Sequence, residues 1–211
     1  MELDRKAGNT KWRDAFDTEI AQVDEYDTFE DIGERSSAKV PEGYKKIRVH
    51  IVFDVKHDGR HKVRLVADGH LTEIPFESVY SGVVSLRGFR LVVFAAELNG
   101  LQMWATDVGN AYLEAFTLEK VYIVAGPEFG ERRGHILIIR KALYGLRTSG
   151  KRWYERLAAC LCEMGFVSCK AEPDVWLRSN GKIYEYVAVY VDDLGLAVGK
   201  PAEFLKVLTY S

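Results

Sequence analysis

The stretch Tyr184-Glu-Tyr-Val-Ala-Val-Tyr-Val-Asp-Asp-Leu-Gly-Leu-Ala-Val198 sets two adjacent carboxylates, Asp192 and Asp193, between two strongly apolar runs. Flanks this rich in Val, Leu and Tyr read as the two strands of a hairpin, so its turn holds two like charges beside a low-dielectric core. Charges so placed need compensation, and a divalent cation is the usual remedy. Upstream, Met103-Trp-Ala-Thr-Asp-Val-Gly-Asn-Ala-Tyr-Leu113 carries another apolar strand that ends on Asp107 before a Gly and a short polar turn. Three carboxylates delivered by strand ends are what a pair of magnesium ions needs. Hard oxygen donors with no His or Cys beside them favour magnesium over zinc.

At 211 residues and 47% hydrophobic, the chain is long enough for one large domain or two small ones, each with its own core. The formal net charge of -2 argues on its own against nucleic acid, but the charge is unevenly distributed. Acids crowd the first thirty or so residues, whereas Arg132 to Arg152 holds Arg132, Arg133, Arg140, Lys141, Arg147, Lys151 and Arg152 with no acid among them. A second basic run, from Lys45 to Arg64, includes Lys56, Arg60 and Lys62. Two readings stand: solvated faces, or a phosphate-binding channel whose walls bracket the carboxylates. Cys160, Cys162 and Cys169 lie close together without the further ligands of a tetrahedral zinc site, and Cys160 fits a helix packing face. No apolar run spans a bilayer, and the start Met-Glu-Leu-Asp-Arg lacks a secretory pattern. An intracellular location, cytoplasmic or nuclear, is expected.

Along the chain, Trp12, Ala15, Phe16, Ile20 and Val23 form a helical stripe over Lys11 to Val23. Ile47, Val49, Ile51, Phe53 and Val55 alternate with other residues as in a half-buried strand, and Asp58-Gly59 turns it into a return strand, His61 to Val66. Lys56, Arg60, Lys62 and Arg64 therefore crowd one ribbon. The pattern then predicts a helix over Val83 to Leu98, the Asp107 strand, and strands at Val121 to Val124 and Ile136 to Ile139. After these come a helix over Lys151 to Met164, with Trp153, Leu157, Cys160, Leu161 and Met164 inward, a strand from Val175 and a last helix over Pro201 to Leu208. Antiparallel hairpins mixed with helices make an α+β fold.

Three strings, D-V-G-N-A-Y-L at Asp107 to Leu113, K-A-L-Y-G-L-R at Lys141 to Arg147 and Y-V-D-D at Tyr190 to Asp193, occur in the order and spacing of one family. With Lys62-Val-Arg-Leu-Val-Ala67 and Gly69, and with Gly126-Pro-Glu-Phe-Gly130, the chain resembles the reverse transcriptase of copia-type LTR retrotransposons over nearly its whole length. The resemblance implies fingers and palm of a right-hand polymerase: fingers over 1–100, an antiparallel palm sheet with packed helices over 101–199, and the start of a truncated thumb over 200–211. The sequence departs from the family's pattern at Glu77 to Gly82, at Asp68 and at Thr148-Ser-Gly150, none of them an expected metal ligand.

That resemblance implies RNA-directed DNA polymerisation: transfer of a nucleotide to a primer 3'-hydroxyl with two magnesium ions about 4 Å apart, manganese being a substitute. Asp107 and Asp192 would bridge the ions, Asp193 would be the third carboxylate, and the Val108 carbonyl would be a further oxygen ligand. Tyr112 falls where the family pattern excludes a ribose 2'-hydroxyl; its plain alternative is a core aromatic. Lys56, Lys62 and Arg64 are candidates to clamp the triphosphate. Gly145 would let the backbone approach a template base or dNTP, and Tyr144 would stack on base or ribose. Lys141, Arg147, Lys151 and Arg152 would track phosphates of a primer and an RNA or DNA template. The implied partners also include other parts of a Pol polyprotein, ribonuclease H and integrase. Against this stand two readings: a catalytically inactive retroelement remnant that at most binds nucleic acid, and an unrelated magnesium nucleotidyltransferase, which the K-A-L-Y-G-L string weakens.

Overall fold

Most of the longer strands form where Val, Ile, Leu and Tyr concentrate, and the longer helices where apolar residues recur every three or four positions. The computed structural model describes residues 2–72, 79 and 81–210. In chain order the elements begin α1 (Glu2–Ala7), α2 (Lys11–Glu25), β1 (Phe29–Glu34), β2 (Lys45–Lys46), β3 (Val49–Val55), β4 (His61–Ala67), α3 (Leu86–Leu98) and β5 (Gln102–Asp107). They continue with β6 (Val121–Val124), β7 (His135–Ile139), α4 (Ser149–Glu163), β8 (Val167–Ser168), β9 (Val175–Asn180), β10 (Ile183–Tyr190), β11 (Asp193–Val198) and α5 (Pro201–Tyr210). The mixture is α+β, with most strand pairs antiparallel. No helix among the described residues is long and apolar enough to cross a membrane.

Two compact units share the chain, each built from two separate stretches: Met1–Val79 with Tyr112–Arg152, and Tyr80–Ala111 with Trp153–Ser211.

The first unit contains a four-stranded sheet in the order β1-β7-β6-β2 and the separate β3-β4 ribbon. Its core gathers Val23, Ile47, Leu65, Val121, Ile123, Leu137, Ile139 and Leu143. Every side chain of β7 from Ile136 to Ile139 is buried, which is why that run is apolar without alternation. On the ribbon the expected alternation holds only near its base. Val52, Phe53 and Val55 are 38%, 40% and 51% exposed, with the Trp12 ring of α2 giving Phe53 an edge contact at 5.3 Å. Gly59, at a φ of 81°, turns the ribbon back. The free edge of β4 is met by α2, whose Glu19 Oε1 accepts the Leu65 N–H at 2.8 Å.

The second unit is built on an antiparallel sheet in the order β5-β11-β10-β9-β8. α3 lies on one face through Val92 and Ala96, packed with Val84, Val175, Ala188 and Ala197. Val187, Val189, Leu194 and Leu196, out of phase with Ala188 and Ala197 by the two-residue period, are buried as well. Both central strands are therefore apolar on both faces. α3 starts at Leu86 rather than Val83, because the Ser85 hydroxyl accepts the Gly88 N–H at 3.0 Å and caps the helix there. The altered segment before it lies partly outside the described residues, at 77, 78 and 80. In α4, Trp153, Leu157, Cys160 and Leu161 are buried and Met164 only half-buried. Cys160, Cys162 and Cys169 are free thiols.

Candidate active site

The hairpin turn keeps its expected two-residue length and sits one residue earlier than the sequence suggested. Tyr190 pairs with Asp193, so only Val191 and Asp192 form the loop, and Asp193 is already the first residue of β11. A two-residue loop needs a positive φ to match the twist of its strands. Val191 supplies it at 56°, a conformation strained for a β-branched residue. The surroundings hold it there: the indole Nε1–H of Trp153 donates to the Val191 carbonyl at 2.8 Å.

β5 runs antiparallel to β11 with Asp107 directly opposite Asp193, and the ladder continues through Thr106 and Leu194 to Gln102 and Val198. One step further, the Val108 N–H donates to the Asp192 carbonyl at 2.8 Å, tying the end of β5 to the turn. Asp107, Asp192 and Asp193 thus stand at one end of one sheet. Burial, and then the negative charges of Asp192 and Asp107, push the Asp193 carboxyl above its ordinary range. The donor chemistry suits a hard divalent cation, which would relieve that repulsion. Among the described residues, however, no three Asp, Glu, His or Cys side chains converge in a closed ligand set. Beside the carboxylates a cavity of about 380 Å³ is lined by Phe89, Ala105, Thr106, Tyr190 and Gly195, among others. Gly195 is needed there, since a Cβ would meet the Phe89 ring at 2.8 Å.

Within the first unit, Lys62 and Arg64 fall on β4, Tyr112 on the turn Ala111–Glu114, and Lys141, Tyr144, Gly145 and Arg147 on the loop before α4. The Ala67 N–H donates to the Tyr144 carbonyl at 2.7 Å, clamping loop to strand. Gly145, at a φ of 90°, packs so closely that a Cβ would collide with the Ala67 carbonyl oxygen, and one on Gly69 would lie 2.9 Å from the Leu146 Cα. These glycines thus permit a close approach of the chain to itself. Tyr112 and Tyr144 are half-buried with ring centroids 4.8 Å apart, and the Arg64 guanidinium lies 5.6 Å from the Tyr144 ring centre. Arg64 also faces Asp54 at 3.5 Å.

The cations divide. Lys56 stands exposed on the ribbon, and Lys62 lies opposite Asp54 in strand register. Lys141 Nζ sits 4.2 Å from the Phe116 ring centre, and an Arg147 guanidinium N–H donates to the His70 carbonyl at 3.2 Å. Lys151 and Arg152 occupy the first turn of α4. The basic run is partly neutralised from within, since Arg132 pairs with Asp24 at 2.6 Å and Arg140 with Glu30. Sequence reasoning missed the supports: Trp153 under the turn, Glu19 on the β4 edge and the Gly69–Gly145 contact. A signal for the last existed, because both glycines sit inside the strings that carried the resemblance.

A profile of the family described as "Reverse transcriptase (RNA-dependent DNA polymerase)" matches residues 36–208. The chain is 31% identical, over 67% of its length, to the Retrovirus-related Pol polyprotein from transposon RE1 of Arabidopsis thaliana, covering 10% of that protein. It is 30% identical over 70% of its length to the corresponding RE2 polyprotein of the same plant, again covering 10%. To the Retrovirus-related Pol polyprotein from transposon TNT 1-94 of Nicotiana tabacum it is 26% identical over 85% of its length, covering 14%. The chain thus spans about a tenth of the length of the curated relatives it matches. Matched over most of its length, with its Y-V-D-D on a hairpin and Asp107 in register beside it, the chain belongs to the reverse transcriptase (RNA-dependent DNA polymerase) family.

Proposed function

We propose that the chain is the polymerase portion of a copia-type Pol polyprotein, an RNA-directed DNA polymerase that adds dNTPs to a primer 3'-hydroxyl. The observation that carries this reading is the register of Asp107 against Asp193 with Asp192 in the adjoining turn. When bound there, two magnesium or manganese ions would make the primer hydroxyl nucleophilic and neutralise the departing pyrophosphate. Asp107 and Asp192 would hold both ions, with Asp193 and the Val108 carbonyl completing the oxygen donors. The strained turn at Val191 and its Trp153 tether keep these groups pre-aligned, so little reorganisation is needed at the moment of reaction.

The first unit's residues would handle the nucleotide and the strands. Lys56, Lys62 and Arg64 would clamp the triphosphate, Tyr112 would exclude a 2'-hydroxyl, and Tyr144 and Gly145 would meet the base or sugar. Lys141, Arg147, Lys151 and Arg152 would contact template–primer phosphates. In this reading residues 1–100 are fingers, 101–199 palm and 200–211 the start of a thumb. Ribonuclease H and integrase portions of a Pol polyprotein would be its partners.

Primer extension on poly(rA)/oligo(dT) with dTTP and magnesium tests the reading. Metal-dependent incorporation that disappears with EDTA is the expected result. Salt-sensitive binding of the same duplex without any extension would overturn it in favour of a remnant that only binds nucleic acid.

A further inference from the structure

The Arg64–Tyr144–Tyr112 arrangement carries an inference about sugar choice, and it rests on the reading of Tyr112 as the group that excludes a 2'-hydroxyl. We propose that Tyr144 is a positioning residue for that exclusion: its ring backs the Tyr112 ring, so that discrimination against ribonucleotides depends on Tyr144 as well as on Tyr112.

Asn110 takes a positive φ of 53°, residues Ala111–Glu114 form a single 3-10 turn, and Ala111 and Leu113 on either side of Tyr112 are buried. A half-buried tyrosine on such a turn still has its two side-chain torsions to set, and a steric filter works only if the ring cannot swing away. Tyr144 supplies a wall, with ring centroids 4.8 Å apart and planes inclined by 54°. That wall is itself immobilised. The Tyr144 carbonyl accepts the Ala67 N–H at 2.7 Å, Gly145 is locked against β4 at a φ of 90°, and the Arg64 guanidinium sits over the Tyr144 ring at 5.6 Å. The position of Tyr112 is thereby referred back to β4, the same strand that carries the proposed triphosphate clamp. In this role Tyr144 acts through Tyr112, beside the contact with base or sugar proposed for it above.

The test measures kcat/KM for dTTP and for ribothymidine triphosphate, which differ only in the 2'-hydroxyl, on poly(rA)/oligo(dT). Four variants are needed beside the parent: Tyr112→Ala, Tyr144→Ala, Tyr144→Phe and the double Tyr112→Ala/Tyr144→Ala. Tyr144→Ala should lower the deoxy-over-ribo ratio by roughly tenfold or more, the scale of one lost shape contact, and Tyr144→Phe should retain it. The change should appear as a rise in the ribonucleotide's kcat/KM, which a loss of folded enzyme, lowering both substrates alike, does not produce. In the double variant the ratio should match that of Tyr112→Ala alone, because a wall has no effect once the ring it supports is gone.

Losses that multiply in the double variant, or an unchanged ratio in Tyr144→Ala, would overturn the proposal. An unchanged ratio in Tyr112→Ala would overturn the underlying reading of Tyr112, and the proposal with it. If the chain extends no primer, 3-fluorotyrosine placed at 112 gives an independent readout by 19F resonance. Tyr144→Leu should shift that resonance and Tyr144→Phe should leave it nearly in place, while a resonance indifferent to Tyr144→Leu would sink the proposal.

Discussion

Two hairpins carry the carboxylates and the ribbon lysines singled out above, and they are built in opposite ways. β10–β11 is flanked on both sides, by β9 and by β5, and Val187 and Leu196 at its centre are 0% exposed. Among the described residues β3–β4 forms a sheet of two strands, and its outer apolar side chains Val52, Phe53 and Val55 stay partly exposed. On the proposed function, carboxylates that share cations need fixed spacing, which the first hairpin gives, whereas lysines that attract a polyphosphate would act over longer distances and tolerate a looser support. On that reading, the contrast teaches that the support given to each hairpin follows the geometric tolerance of its proposed chemistry.

The largest effect expected on this contrast is chemical. Asp192→Asn should lower primer extension by about a hundredfold or more, since one anionic oxygen is worth several kcal/mol in placing the cations. Thermal unfolding should be unchanged or slightly later, because the substitution relieves repulsion on Asp193. Extension at the parent's rate would break the assignment of the rigid hairpin to the chemistry.

Next comes packing. Leu196→Ala should cost about 2–5 kcal/mol in urea unfolding, whereas Val55→Ala on the ribbon should fall within about 0.5 kcal/mol of the parent. Equal losses would erase the distinction.

A third measurement sharpens it through pH. Burial alone would push the Glu185 carboxyl up, but the Gly199 N–H, the Arg178 guanidinium and the Asn180 amide outweigh it and hold it below the ordinary range. Its stabilisation is therefore present above the ordinary carboxylate range and is lost as pH falls through the lowered value. Glu19, on the ribbon's edge, is pushed up by burial, with the Leu65 N–H, Lys62 and Arg64 only partly opposing. Acidification through that raised value toward the ordinary one adds stability instead. Glu185→Gln should cost about 2 kcal/mol at neutral pH, less than a fully buried pair because Arg178 stays partly solvated, and should flatten the acid limb of the stability curve. Glu19→Gln should steepen it. Identical pH profiles for the two variants would contradict the opposite environments.

The smallest effect concerns salt. Lys151→Gln and Arg152→Gln should each reduce the slope of log K against log salt for duplex binding by about one. A slope untouched by both would return these side chains to the solvated-face reading.

Much of this was legible in advance, for identifiable reasons. The hairpin at Asp192 was readable because a charged pair interrupts an apolar run, and the ribbon because Asp58-Gly59 is a strong turn signal. β1 was not, since Phe-Glu-Asp-Ile-Gly-Glu is acid-rich and becomes a strand only by pairing with the buried β7. Val83 and Val84 looked helical because they are apolar, yet Val83 bridges to Tyr190 and the Val84 N–H donates to the Val189 carbonyl. The site's side chains were visible as residue types, whereas its supports were not, because Trp153, Glu19 and Gly69 act on partners distant in the chain.

The ladder between β5 and β11 has one more consequence, for how this chain tolerates change. Asp107 and Asp193 are neighbours across hydrogen bonds, not along the polypeptide, and the whole stretch Tyr112–Arg152 of the other unit is threaded between them in sequence. Their separation is thus independent of the length of that stretch, and connections within it can gain or lose residues without retuning the carboxylates. Strand register, by contrast, admits no intermediate settings: a slip of one residue turns Asp107 to the opposite face of the sheet. The pairing of the two carboxylates, unlike the nucleotide-handling residues carried on that stretch, is insulated from insertions and deletions there, and it fails all at once, rather than by degrees, when the ladder moves.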